Sequence, residues 1–422
     1  MKKKVLVIGG GGREHALCWA IRRSKTRSEI FCAPGNAGIA QIAQCIDLSP
    51  IDIQGLLKFA LNNEIDLTVV GGEVSLAAGI VDEFEKHNLR IFGPTLAATR
   101  LESSKIFAKD FMVRYHIPTA RYYKANSPEE ALSILQTNEF KDTNSHVVVK
   151  ADGLAAGKGV IMTSNHAETI SAVEKLIFDD AQERKFVLLE ETLKGREISL
   201  LLFSDGKDFA IMPPTRDHKR IGEGDTGANT GGMGTITDDA LLNANEIQEI
   251  ISKIIEPTLI GASKEGFPFR GVLFLGLMMT QDGAKLLEYN VRFGDPEAQS
   301  ILITLKSDIL EIFESIINGR LNKIEINFSK QSSACVILAT NGYPLEQQSN
   351  DIIYGLENIS NKVTVFHAGT KKTNNGKFLT NSGRVLGIAA RNRSLKAALI
   401  NIYDEIKKIN WSGMQYRTDI GE

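Results

Sequence analysis

Through the first hundred residues, short apolar runs give way repeatedly to longer amphipathic stretches. "KVLVIG", "EIFCAP", "DLTVVGG" and "LRIFGP" precede stretches at 13–24, 52–63, 74–87 and 95–115, which predicts a βαβ series. Within 52–63, Ile53, Leu56, Leu57, Ala60 and Leu61 keep i, i+3, i+4 spacing. The runs themselves are continuously apolar, as strands of a parallel sheet covered on both faces must be. The pattern predicts a doubly wound α/β domain over 1–102.

Helix 104–115 and strand 146–150 open a second section, followed by strands at 186–190, 197–203, 271–280 and 285–291 and a glycine-rich loop at 222–234. After 326 the composition shifts again, and 327–422 reads as a small α+β domain. A length of 422 residues suits several domains, and a net charge of −2 with 24% charged residues excludes a polyanion-coating protein. The apolar run at 271–280 is half the ~20 residues a membrane-spanning helix needs. The four cysteines and seven histidines show no zinc-like spacing, and buried reduced thiols fit a cytoplasmic setting.

"GGGGREHA" follows the first strand but lacks the third glycine of a dinucleotide fingerprint, since Glu14 or His15 stands there, and the second strand ends in "CAPGNAG" without a ribose-binding acid. A nicotinamide cofactor is disfavoured. What remains is a glycine turn at a helix N-terminus, equally readable as an anion site or a plain tight turn.

In "HVVVKADGLAAGKGVIMTS" two β-like segments flank a loop with Gly153, Gly157, Lys158 and Gly159, unlike the strand-loop-helix of a Walker motif. Glycines let the backbone close over phosphates, and Lys150 and Lys158 supply positive charge. Lys105 and Lys109 sit one turn apart on a helix, where solvated lysines are the usual explanation, and Glu190, Glu191 and Glu197 read alone as a charged linker.

On strand 285–291 alternation places Glu288, Asn290 and Arg292 on one face and Leu287, Tyr289 and Val291 on the other. A carboxylate and an amide oxygen suit magnesium, which takes its remaining ligands from water and phosphates, and an adjacent arginine can steady a transferring phosphoryl group. Asp295 and Glu297 in "FGDPEAQ" are candidates for orienting that site.

"GGGGREHAL", "SSKIFAKDFM", "KADGLAAGKGV", "RDHKRIGEGDTGANTGGMG", "LEYNVRFGDPEAQ", "VFHAGT" and "GMQYRTDIG" together resemble the phosphoribosylamine-glycine ligases, or glycinamide ribonucleotide synthetases, of the ATP-grasp superfamily. The resemblance spans essentially the whole chain. It implies an N-terminal Rossmann-like (pre-ATP-grasp) domain over 1–102, an ATP-grasp domain over 103–326 with a mobile lid near 120–190, and a small C-terminal domain over 327–422. It also implies ATP-dependent joining of glycine to 5-phosphoribosylamine through an acyl phosphate, in a cytoplasmic monomer acting on small molecules without nucleic acid or membrane.

By the same resemblance Lys105, Lys150 and the 153–159 loop would meet ATP phosphates, Glu190 and Leu193 the adenine through their backbone, and Glu197 the ribose. Glu288 and Asn290 would hold Mg²⁺ or Mn²⁺. Arg292, Lys219 and Asp217 would serve the reaction centre under the segment 217–234. Gly11, Gly12, Arg13, Glu14, Asn36, Gly38, Glu73, Asp295 and Glu297 would line the substrate side, with His15 a further wall candidate.

Three departures from the family pattern stand out: Ala228 and "GGEVSL" at 71–76 where prolines are usual, and "LITLKSD" at 302–308 where an arginine is usual. Another ATP-grasp carboxylate-amine ligase is the alternative, and the segment "RDHKRIGEGDTGANTGGMG" discriminates against it.

Overall fold

The protein is described here by a computed structural model, which covers residues 2–137, 140, 146–154, 159–178 and 186–422. The first section is a five-stranded parallel sheet in the order β3-β2-β1-β4-β5. Its strands are β1 (Lys3–Gly9), β2 (Ser28–Pro34), β3 (Gln44–Cys45), β4 (Leu67–Val70) and β5 (Ile91–Phe92). Val5, Leu6, Val7 and Ile8 are wholly buried because helices cover both sheet faces, so the apolar run has no solvent side.

Helix Ile53–Asn62 starts where the Asp52 side chain accepts Gly55 N–H at 2.9 Å, and it buries Leu56, Leu57 and Ala60. Leu61 completes the spacing yet is 46% exposed. The stretch expected as one helix at 74–87 is two, Glu73–Ala77 and Ile80–Lys86, interrupted at Gly79 with φ +78°. The stretch 95–115 is likewise two helices, Leu96–Ser103 and Lys105–Arg114, with Ser104 capping the second by accepting Phe107 N–H at 3.1 Å.

A separate four-stranded antiparallel sheet, order β6-β9-β7-β8, holds β6 (Tyr122–Ala125), β7 (Val147–Ala151), β8 (Val160–Thr163) and β9 (Val187–Glu191). Its own small core includes Val147, Val149 and Leu189. The third sheet carries most of the chain. It contains β10 (Arg196–Asp205), β11 (Phe209–Ile211), β12 (Thr215–Asp217), β15 (Gly234–Thr237), β16 (Arg270–Thr280), β17 (Gly283–Asn290), β18 (Ser332–Ala339), β19 (Thr364–His367) and β22 (Arg384–Asn392). Small ribbons β13 (Arg220–Gly222) with β14 (Thr226–Asn229), and β20 (Thr370–Lys372) with β21 (Phe378–Thr380), lie beside it.

The order β17-β16-β10-β12-β15-β18-β22-β19 crosses from the middle of the chain into its last hundred residues. The final section therefore adds its long strands β18, β22 and β19 to the same sheet, with only the ribbon of β20 and β21 apart. β18 pairs directly with β15 through Cys335↔Thr235 and neighbouring residues, while helix Leu395–Ile406 covers β18 and β22.

Between β16 and β17 the register slips, so that Leu277 faces Leu286 and Gly276 faces Glu288. This bulge corrects the simple alternation, in which Leu287 should share a face with Tyr289. Leu286, Tyr289 and Val291 enter the core, Leu287 is left half-buried, and Glu288 and Asn290 keep their common orientation on the far side of the bulge. Among the described residues no helix is long and apolar enough to cross a membrane.

Candidate active site

The doubly wound sheet changes strand order between β1 and β4, where α/β proteins open a crevice at the strand ends. The glycine turn 9–12 and the start of helix Glu73–Ala77 stand there. Glu14 turns inward, 2% exposed, and accepts Gly11 N–H at 2.6 Å while also meeting Arg13 Nε at 2.7 Å. A Cβ on Gly9 or Gly71 would lie 2.6 or 2.2 Å from the Glu14 side chain. The turn thus carries its own anion at Gly11 N–H, and Glu14 supports the wall from behind instead of facing the cleft.

Arg13 continues to Phe293 O at 3.0 Å and approaches Glu73 at 3.8 Å. Glu73 also receives Arg292 Nε at 3.1 Å. Burial works to raise the Glu73 carboxyl, but Arg292 and then Arg13 outweigh it and hold the group at about 2. Arg292 reaches Glu102 at 2.8 Å and Asn290 Oδ1 at 3.0 Å, so its guanidinium is fixed from three sides. Glu102, buried and accepting Val291 N–H at 2.7 Å, escaped the sequence reading, where it stood only as the residue before Ser103-Ser104.

Of the cations expected at the phosphates, Lys105 and Lys150 act on Glu288, together with Lys219 from the 217–234 segment. Burial would raise its carboxyl, yet Lys219, Lys150 and Lys105, in that order, keep it below its usual range. Gly276 opposite leaves room, since a Cβ there would come within 3.1 Å of Glu288 Cγ. Lys219 binds Glu197 at 2.6 Å, and its pKa rises because Glu197 and Glu288 outweigh desolvation. Lys105 donates to Gly153 O at 2.9 Å, while Asp152 accepts Ile106 N–H at 3.2 Å, so Asp152 and Gly153, where the glycine-rich loop begins, dock on the start of helix Lys105–Arg114. Gly159 O accepts Ala151 N–H at 2.8 Å and closes the base of that loop; Gly157 and Lys158 lie outside the described residues. Leu193 is half-buried on the connection from β9 to β10.

Asp217 and Glu297 form a second acidic pair, both pushed above their ordinary values by burial and, at Asp217, by the charge of Glu297. Asp217 Oδ1 has no hydrogen-bond partner among the described residues. Gly232 fits beside it with φ +106°, where a Cβ would strike Pro296 Cδ at 2.6 Å and Asp217 Oδ1 at 2.7 Å.

Asp295 joins the two halves. It accepts from Gln299 at 2.7 Å, pairs with Arg384 at 3.3 Å, and lies 3.3 Å from where a Gly11 Cβ would be. A cavity of about 420 Å³ opens here, with Gly10, Gly11 and Asn36 on one wall and Gly369, Thr370 and Arg384 on the other. Asn36 is pinned by Gly10 O and His367 O, both at 2.9 Å, and Gly38 is forced to be glycine because a Cβ would sit 2.3 Å from the His367 ring. Gly12 lies beside Gln299, whose Nε2 a Cβ would meet at 2.5 Å. His15 accepts His367 N–H at 2.8 Å and so fastens the C-terminal section to the first, outside the cavity lining. That section's contribution, Arg384 above all, was hidden in the sequence within an unremarked "NSGRVLG".

The chain is similar to known proteins over essentially its whole length. A solved phosphoribosylamine-glycine ligase from Thermotoga maritima is 33% identical, with a TM-score of 0.85, and the match covers 99% of this chain and 100% of that one. A phosphoribosylamine-glycine ligase from Caldanaerobacter subterraneus is 44% identical over 99% of each chain. The biotin carboxylase domain of the Hydrogenobacter thermophilus 2-oxoglutarate carboxylase, at 17% identity, shares the fold alone, with a TM-score of 0.74 over 99% of this chain and 92% of that one. The N, ATP-grasp (A) and C domain descriptions of phosphoribosylglycinamide synthetase match residues 3–102, 103–298 and 333–422 in turn, and the chain belongs to the phosphoribosylglycinamide synthetase family of ATP-grasp enzymes.

Proposed function

We propose that the chain joins glycine to 5-phosphoribosylamine at the expense of ATP, yielding glycinamide ribonucleotide, ADP and phosphate in purine biosynthesis. The observation that carries this reading is the buried carboxyl of Glu288 under the charges of Lys219, Lys150, Lys105 and Arg292, with Arg292 itself held by Glu73, Glu102 and Asn290. In this reading Lys105 and Lys150 hold the ATP phosphates, Glu190 and Leu193 offer backbone groups to the adenine, and Glu197 binds the ribose. The glycine carboxylate accepts the phosphoryl group, and the amine of 5-phosphoribosylamine displaces it.

No protein nucleophile is required. Arg292, fixed by Glu73, Glu102 and Asn290, presents an oriented positive charge to the transferring group. Lys219 adds a second charge from the 217–234 segment. The cavity takes the phosphoribosyl end, between the glycine turn with Asn36 and the Arg384 wall.

Among the described residues no three acidic, histidine or cysteine side chains group to hold a metal. Glu288 with Asn290 nonetheless fits magnesium or manganese, being a carboxylate kept ionised by its neighbours and an amide oxygen. Such an ion, when bound, neutralises phosphate charge. The protein is further proposed to work as a cytoplasmic monomer on small molecules, without nucleic acid or membrane.

The test supplies ATP, Mg²⁺, glycine and freshly made phosphoribosylamine and follows ADP release. Release that requires both glycine and phosphoribosylamine supports the reading; release with a different acid or amine and none with this pair overturns it.

A further inference from the structure

Lys109 is the most deeply buried lysine among the described residues, 2% exposed, and the mechanism above gives it no task. Its Nζ lies 2.9 Å from Glu190 Oε2 and 2.7 Å from Thr119 Oγ1, whose own hydrogen goes to Leu286 O at 2.6 Å. Glu190 Oε2 also receives Lys150 Nζ at 3.0 Å, and Lys150 makes a longer contact of 3.4 Å with Leu287 O. One carboxylate oxygen is thus shared by two ammonium groups, while Glu190 Oε1 has no hydrogen-bond partner among the described residues.

The three side chains come from different bodies: Lys109 from the helix Lys105–Arg114, Glu190 and Lys150 from adjacent strands of the four-stranded sheet. Burying a lysine costs several kcal/mol unless its charge is matched. Here burial draws the Lys109 ammonium down to about 8, with Glu190 opposing and Lys150 assisting the fall. A buried cation that shares its carboxylate oxygen with a second lysine calls for a use.

We propose that Lys109 is a positioning residue for nucleotide binding: it neutralises Glu190 so that Lys150 can leave that carboxylate for the ATP phosphates. The inference rests on the reading of Lys150 as a phosphate ligand. Without Lys109, Glu190 would hold Lys150 as its sole counter-ion in a site shielded from water, and phosphate would have to compete against a stronger pair. With Lys109 in place, Glu190 keeps one partner when Lys150 departs. The carboxylate is never left buried and alone.

The experiment measures binding of a non-hydrolysable ATP analogue with Mg²⁺ to the full-length protein by titration calorimetry, and steady-state KM for ATP and for glycine. Lys109→Met is expected to weaken analogue binding about tenfold, a change of ~1.4 kcal/mol, and to raise KM for ATP with KM for glycine unmoved. Adding Glu190→Gln removes the carboxylate that traps Lys150, so the double variant should recover most of the loss. A purely structural role for Lys109 would give no such recovery.

Lys109→Gln, which keeps a hydrogen-bond donor but no charge, covers the case in which Lys109→Met does not fold: the same weakening of analogue binding is expected. The proposal is overturned by binding within twofold in Lys109→Met or Lys109→Gln, or by a double variant no better than the single one. Lys150→Met is the separate check. If it binds the analogue normally, the phosphate role of Lys150 fails; if it binds weakly while Lys109→Met binds normally, only the present inference fails.

Discussion

At the scale of single residues, the site depends on charges that are held in place before any substrate arrives. Arg292 is gripped by Glu73, Glu102 and Asn290, which removes most of the rotamer freedom that a long side chain otherwise loses on binding. Arg292→Lys keeps the charge and loses the planar fork, so kcat should fall by about a hundredfold or more with the fold intact, measured by ADP release and thermal melting. Glu288→Ala should leave a folded protein whose turnover collapses at low magnesium; undiminished activity there would refute its metal role. The sequence made these residues legible because alternation survives the bulge at Leu287. It left Lys109 and Glu102 illegible, because nothing in a single sequence says that a helical lysine or glutamate is covered by a strand from elsewhere.

At the scale of elements, the segment Asp152–Gly153 that opens the glycine-rich loop is docked on a helix start. Asp152 accepts from Ile106 N–H and Ser104 Oγ, and Lys105 reaches back to Gly153 O. Asp152→Ala should cost about 1 kcal/mol of this docking and speed hydrogen exchange at 105–107, because a first-turn amide loses its acceptor. Gly232→Ala should be harsher. A Cβ there meets Pro296 and Asp217 at a backbone angle that only glycine tolerates readily, so a loss of roughly 1–3 kcal/mol in melting stability is expected. Strand positions were readable from apolar runs because both faces of those strands are covered. The breaks at Gly79 and Ser104 were not, since helical periodicity runs past a short interruption.

For the whole molecule, the buried histidines tie stability to pH. His15, through burial and then the nearby His367, falls to about 3; His218, through burial and then Arg216, and His367, through burial, fall to about 4. Above pH 6.5 neither folded nor unfolded chain protonates these rings appreciably, and their neutral state costs nothing. As pH falls from 6.5 towards 4, the unfolded chain binds protons that the folded one refuses, so stability should drop by about 1.4 kcal/mol per pH unit for each ring. Melting temperature followed across that range should decline, and His218→Gln should flatten the decline; a flat profile in the unaltered protein would count against it. The last section is also part of this whole. A chain cut at 329 should fail to fold cooperatively, because β15 would lose its neighbour β18, and a melting curve like that of the full chain would contradict this. Pairing across so long a sequence gap carries no local signature, which is why the link between β15 and β18 could not be read from the sequence.

That shared sheet has a consequence for how the protein is made. β15 leaves the ribosome long before β18 exists, and until then it presents a bare row of amide and carbonyl groups, with Thr235 and Thr237 awaiting Cys335 and Ser333. The nascent chain is therefore most open to wrong partners late in its synthesis, when nearly everything the chemistry uses has been translated and the strand that seals it has not.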